Sequence, residues 1–193
     1  MKDTPSDIRK AVEQSFKQLI AQKGYRSISV TDIAELARIS RHTFYEYFAN
    51  KEAVVASLFY QDAIKPLEDA HALFSLKERM DIPQITERLL GKMYQGVYDN
   101  REFYARLVTS LTGSNDVFVQ VVTNAICIFN VDLMGSLGYA GTAKEIDYAA
   151  FIFGSSQAML MQRWISSGFD MSVEEITALY SQVMTPFWLN RMP

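Results

Sequence analysis

With 193 residues, 49% hydrophobic and 21% charged, the chain has the make-up of an ordinary globular protein, with room for one core or a small domain joined to a larger one. A lone cysteine, Cys127, excludes an intramolecular disulfide framework within these residues and suits a reducing compartment, and from the polar start "MKDTPSDIRKAVEQ" no secretory signal is expected. The net charge of −3 divides unevenly, residues 1–52 standing at +2 and residues 53–193 at −5, a basic excess too small to argue for nucleic acid by itself.

Every segment reads as helix, so the expected fold is all-α. From Asp7 to Lys23 apolar residues fall at Ile8, Ala11, Val12, Phe16, Leu19 and Ile20, the spacing of an amphipathic helix, and Gly24 ends it. Ser29 with Asp32 forms a capping box for a short helix, Val30 to Ala37, and Ser40 caps the next, Arg41 to Tyr47. Asn50 opens a longer helix at Lys51, strained at Pro66. Further helices are expected from about Ile82, after Asn100 and after Asn115, the last running to the glycine-marked loop "GSLGYAGT". Thr142 with Glu145 and Ser172 with Glu175 cap two more, separated at Gly168. The most apolar stretches, Val117–Val131 and Ala149–Met161, are interrupted by Asn, Gln or Ser and read as too short for a bilayer, so a cytoplasmic protein without a membrane partner is expected.

The first three helices, two of them short and three residues apart, make a helix-turn-helix candidate. Phe44 and Phe48 lie four apart and share one face with Ile39 and the cluster Ile33, Ala34, Leu36 and Ala37, leaving Arg41, Thr43, Tyr45 and Tyr47 to point elsewhere. On pattern alone, such helices suit any helical domain as well as a DNA reader.

The stretch "GYRSISVTDIAELARISRHTFYEYFANKEAVV", residues 24–55, resembles the DNA-binding domain of the TetR family of bacterial transcriptional regulators. The matching residues are Gly24, Tyr25, Ser29, Asp32, Ile33, Ala34, Ser40, Thr43, Tyr45, Tyr47, Phe48, Lys51 and Glu52, and "MLMQRWISSGFDMSVEEITALY" resembles the family's C-terminal helix pair. The resemblance implies a DNA-binding domain over 1–52 and a ligand-binding and dimerisation domain over 53–193. It also implies that Ser29 and Lys51 hold phosphates at helix N-termini, where amides favour anions. Tyr45 and Tyr47 then give phosphate contacts through their hydroxyls, and Thr31, Arg41, His42 and Thr43 reach base edges or nearby backbone. Arg41 suits guanine, whose O6/N7 pair its fork matches, and His42 reads as a polar contact, with no ligand cluster around it. Two residues depart from the family pattern: Arg38 stands where glycine is common in the turn, and Glu46 places a carboxylate in the recognition helix.

The remainder supports the second domain independently. Ala149–Met161 is apolar nearly all round, with Ala150, Gly154 and Ala158 on one small-residue stripe. That stripe is expected to meet a second subunit, with Phe151, Ile152 and Met159 filling the core and Ile176, Tyr180, Val183, Met184 and Phe187 of the last helix completing a four-helix interface. The alternative is a single buried core helix. Tyr94, Tyr98, Phe103, Tyr104, Phe118, Phe129 and Trp164 are candidates to line an effector cavity, with Asn124, Asn130 and Gln157 as polar handles, or else are core.

The function expected is a ligand-responsive regulator, a repressor, that binds a roughly palindromic double-stranded DNA operator as a homodimer and is released by a small-molecule effector. No cofactor and no metal is expected. An all-α enzyme or a helical adaptor without DNA binding are the alternatives. Two histidines, one cysteine and no Ser-His-Asp set, metal-spaced cluster or phosphate loop weigh against the enzyme.

Overall fold

A computed structural model describes residues 4–77, 82–111 and 117–189, and among these there are helices and no strand. The first helix, α1 (Pro5–Lys23), begins two residues before the periodicity suggested, because Thr4 and Asp7 close a capping box and Pro5 occupies the first turn. It buries Val12, Phe16, Leu19 and Ile20 and ends at Gly24, whose φ of 71° suits glycine. A single 3-10 turn, Tyr25–Ser27, leads to α2 (Val30–Leu36), and then to α3 (Arg41–Tyr47).

The long helix expected from Lys51 is divided into α4 (Lys51–Phe59), a π-helical turn (Tyr60–Ile64) and α5 (Lys65–Lys77). Pro66 is the cause. It has no N–H for the Asp62 carbonyl and its ring crowds that carbonyl, so the chain widens by one residue and the Lys65 N–H donates to Tyr60 instead. The expected domain division between residues 52 and 53 thus falls inside the first turn of α4 rather than in a linker.

Helices α6 (Ile82–Asp99), α7 (Arg101–Thr109), α8 (Val117–Ser136), α9 (Ala143–Ser166) and α10 (Val173–Leu189) complete the chain. Thr142 and Glu145 form the expected capping box, and Ser172 and Glu175 exchange the corresponding bonds. Asn115, expected ahead of α8, lies outside the described residues. By length and apolar composition α8 is long enough to cross a membrane, unlike the shorter stretch expected there. Its buried side, including Val122, Ile126, Phe129 and Leu133, packs in the core along α9 and α4.

The stripe on α9 is where the sequence reading needs correction. Ala150, Gly154 and Ala158 are all buried inside this subunit, and Gly154 lies against α8: a Cβ there would stand 3.0 Å from the Thr123 carbonyl oxygen and 3.3 Å from the Cys127 nitrogen. The small residues let two helices of one chain approach closely. Phe151, Ile152 and Met159, expected in the core, are 55–60% exposed. On α10, Ile176 and Tyr180 are buried, Met184 is half-buried and Val183 is exposed, while the side chain of Phe187 lies outside the described ones.

One hydrophobic core runs through both parts. Phe16 of α1 meets Phe103 of α7 edge-on, with ring centroids 6.4 Å apart, and Tyr104 and Phe118 continue the aromatic column to Phe59 of α4. Polar contacts reinforce the same seam. Lys17 Nζ donates to Asn100 at 3.0 Å, Arg106 to the Ala21 carbonyl at 2.9 Å, and Ser57 and Gln61 both donate to buried Glu13.

Candidate nucleic-acid interface and interior cavity

The front of the molecule is a tripod of α1, α2 and α3 whose centre is Val12, Phe16, Ile33, Phe44 and Phe48, all buried. Between α2 and α3 the Arg38 and Ile39 amides donate back to the Glu35 and Ala34 carbonyls, and Arg38 takes the left-handed position with φ 57°. This is the Schellman ending that Gly138 and Gly168 supply to α8 and α9. Arg38 performs it without glycine's freedom, at a cost of about 1–2 kcal/mol.

Ser40 then caps α3, accepting from the Thr43 amide at 2.9 Å. With Phe44 and Phe48 turned inward, Arg41, His42 and Tyr45 stand in solvent, Thr43 and Tyr47 are half-buried, and Ser29 and Thr31 are exposed at the start of α2. Glu46 is not isolated: His42 Nε2 lies 3.6 Å from its carboxylate, one turn away. The Ser29 hydroxyl is 2.6 Å from the Asp32 carboxylate, which Lys23 pairs at 2.7 Å, and Lys23 foremost holds Asp32 below the usual carboxylate range.

Lys51 is more engaged than its sequence position suggested. Its ammonium donates to the Tyr25 and Ile28 carbonyls at 3.1 and 2.9 Å and sits 4.2 Å from the centre of the Tyr25 ring, and burial lowers its pKa. The Tyr25 hydroxyl in turn donates to Glu52. Tyr25, Lys51 and Glu52 therefore bolt the loop before α2 to α4, leaving the Lys51 side chain one ammonium hydrogen for any phosphate. Sequence reading missed Arg9, whose guanidinium lies 5.6 Å over Tyr47 and 5.3 Å over Phe48. Only the packing of α1 on α3 reveals that pair.

Behind this interface the helices α5, α6, α8, α9 and α10 enclose a cavity of about 30 Å³. Leu67, Leu89, Leu90, Met93, Ile126, Phe129 and Leu133 make it apolar, Asn130, Gln157, Thr86 and Tyr180 supply the polar atoms, and none of the described lining residues is charged.

The N-terminal segment, residues 17–58, matches the model of bacterial regulatory proteins of the tetR family, and residues 86–186 match a model of a transcriptional regulator C-terminal region. The chain belongs to the TetR family. It is 38% identical over 61 residues to the HTH-type dhaKLM operon transcriptional activator DhaS of Lactococcus lactis, a match covering 32% of this chain and 33% of that protein. It is 32% identical over 97 residues to the HTH-type regulator YuxN of Bacillus subtilis, covering 49% and 32% respectively. These matches thus span about a third of the length of the curated relatives. Among solved structures, the TetR-family repressor FadR of Thermus thermophilus, in complex with lauroyl-CoA, superposes with a TM-score of 0.66 over 92% of this chain and 93% of that one. At 16% identity, that likeness establishes the fold.

Within this TetR-family fold, Phe129 and Gln157 of the expected pocket residues line the cavity, and Asn130 does so as well. The others lie elsewhere. Tyr94, Tyr98 and Trp164 form an aromatic cluster with Phe169, Trp164 stacking on Tyr98 and donating to the Met171 carbonyl at 2.9 Å. Phe103 and Phe118 belong to the column joining the two parts of the chain, and Asn124 is exposed on α8. Aromatic content pointed to these positions, but it serves packing there.

Proposed function

We propose that this TetR-type transcriptional regulator acts in the cytoplasm as a homodimeric repressor of a roughly palindromic operator, released when a small molecule enters the C-terminal domain. The observation that carries the DNA half is the division of α3: Phe44 and Phe48 anchor it while Arg41, His42 and Tyr45 stand exposed in a row at the molecular surface. Arg41 reads a guanine edge, Thr31, His42 and Thr43 contact bases or nearby backbone, and Ser29, Tyr45, Tyr47 and the start of α4 at Lys51 position phosphates.

The dimer face is the outward side of α9 and α10. Tyr148, Ile152 and Met159 on α9 and Leu179 and Val183 on α10 are 42–60% exposed, an apolar surface of the kind that marks association. The interior cavity supports an effector, and the lauroyl-CoA complex of the Thermus regulator shows that this fold holds a ligand in a relative.

The test is selection of bound duplexes from a random pool, followed by sedimentation of the protein with the selected duplex. Two inverted half-sites and two chains per duplex are expected. Recovery of unrelated sequences, or one chain per duplex, would overturn the operator and dimer readings respectively.

A further inference from the structure

The geometry points to a specific ligand chemistry for the interior cavity: an uncharged, mostly apolar small molecule carrying one hydroxyl or carboxamide that pairs with Asn130 and Gln157. The inference rests on the reading of the chain as an effector-responsive regulator and names the class of that effector.

Two observations meet here. Asn130 and Gln157 are 4% and 6% exposed, and both line the cavity. The Asn130 Nδ2 donor and the Gln157 Oε1 acceptor have no hydrogen-bond partner. Tyr94 Oη and Thr177 Oγ1 are unpaired too, but outside this cavity, so what distinguishes Asn130 and Gln157 is that an orphan donor and an orphan acceptor belong to residues lining one space. A group that accepts from one and donates to the other satisfies both, and hydroxyls and carboxamides have that dual capacity.

The rest of the wall decides the remainder of the molecule. Leucines, Met93, Ile126 and Phe129 offer nothing to an ion, and among the described residues no Lys, Arg, Asp or Glu lines the space. A carboxylate or ammonium would be stripped of water without a counter-charge, so ionised ligands are rejected. At about 30 Å³ the cavity admits roughly one water in the present state. A ligand therefore enters by displacing side chains, and Met93, unbranched and adaptable, is one of those that line the space.

The experiment uses the full chain and four probes of one length: 1-hexanol, hexanamide, hexanoate and hexylammonium, measured by calorimetry and thermal melting at pH 7. Binding of hexanol and hexanamide, with no binding of the two ions, is expected. The double variant Asn130→Leu, Gln157→Leu keeps the apolar wall and should weaken both neutral probes by about tenfold, as loss of two hydrogen bonds implies. Hexanoate or hexylammonium binding as well as hexanol, or neutral probes bound equally by the double variant, would overturn the assignment. So would a crystal structure holding one ordered water between the two carboxamides while none of the four probes binds at millimolar concentration. DNA titration of the same preparation keeps the two readings apart: lost DNA binding would count against the regulator, and failed probe binding with intact DNA binding against the ligand class alone.

Discussion

Gly96 of α6 rests directly on the backbone carbonyl of Asp62: a Cβ at Gly96 would stand 1.6 Å from that oxygen. The carbonyl is available because Pro66 has no N–H to give it, and the π-helical turn carries it toward α6. A proline in one helix thus dictates a glycine in another. The same turn holds the Asp62 side chain between Tyr104, which donates at 3.0 Å, and Lys17 of α1 at 3.7 Å, while burial raises the Asp62 pKa.

Two glycines on one helix should therefore respond oppositely. Gly96→Ala forces α6 off the π-helical turn and should destabilise by about 3 kcal/mol, at the upper end for overpacking. Gly91→Ala meets nothing within 4 Å and should stabilise by up to about 1 kcal/mol through helix propensity. Denaturant melts of the two variants decide it, and equal effects would show that the close approach is not rigid.

Arg38→Gly should separate folding from DNA contact. Relief of the left-handed strain raises stability by about 1 kcal/mol. If the Arg38 side chain also holds a phosphate, the slope of DNA affinity against salt falls by about one ion for each subunit. Thermal melts and salt titration read the two effects separately.

The dimer account predicts a reversal between two α9 positions. Ile152→Arg, on an exposed side chain, should yield folded monomers with weakened operator binding, as linkage between half-sites is lost. Gly154→Leu, pressed on the Thr123 carbonyl, should instead lower the melting temperature. Sedimentation and melting of both variants check the assignment, and a well-folded monomer from Gly154→Leu would restore the stripe as the interface.

Alkaline pH should unfold the chain early. Burial foremost raises the pKa of Tyr25, Tyr94, Tyr104 and Tyr180 above the ordinary value of 10.0. With folded values above unfolded ones, their contribution is complete below pH 10 and lost as pH climbs beyond it. Melting temperature against pH, read between about 9 and 11.5, should fall steeply, and the fall should shrink in Tyr25→Phe.

How much of this was legible in the sequence depended on the range of the interaction. Capping boxes at Ser29 and Thr142, the Ser40 cap and the inward pair Phe44 and Phe48 are local, and the spacing of a few residues displayed them. Pro66 announced strain, but that its freed carbonyl would come to rest on Gly96, thirty positions away, was visible only in the fold. The faces of α9 were exchanged because both are apolar; only the position of Thr123 and Cys127 shows that the small residues meet α8. The second engagement of Lys51 was not legible, because its acceptors, the carbonyls of Tyr25 and Ile28, become neighbours only after folding.

The central claim is that α3 reads DNA sequence through Arg41 while tyrosines and helix starts hold the backbone. Its most direct test is titration of Arg41→Ala and Tyr45→Phe against every single-base variant of a selected operator. Arg41→Ala should cost about 1–3 kcal/mol per half-site and flatten the preference at one base pair, whereas Tyr45→Phe should weaken all sequences equally. An unchanged preference profile in Arg41→Ala would contradict the account.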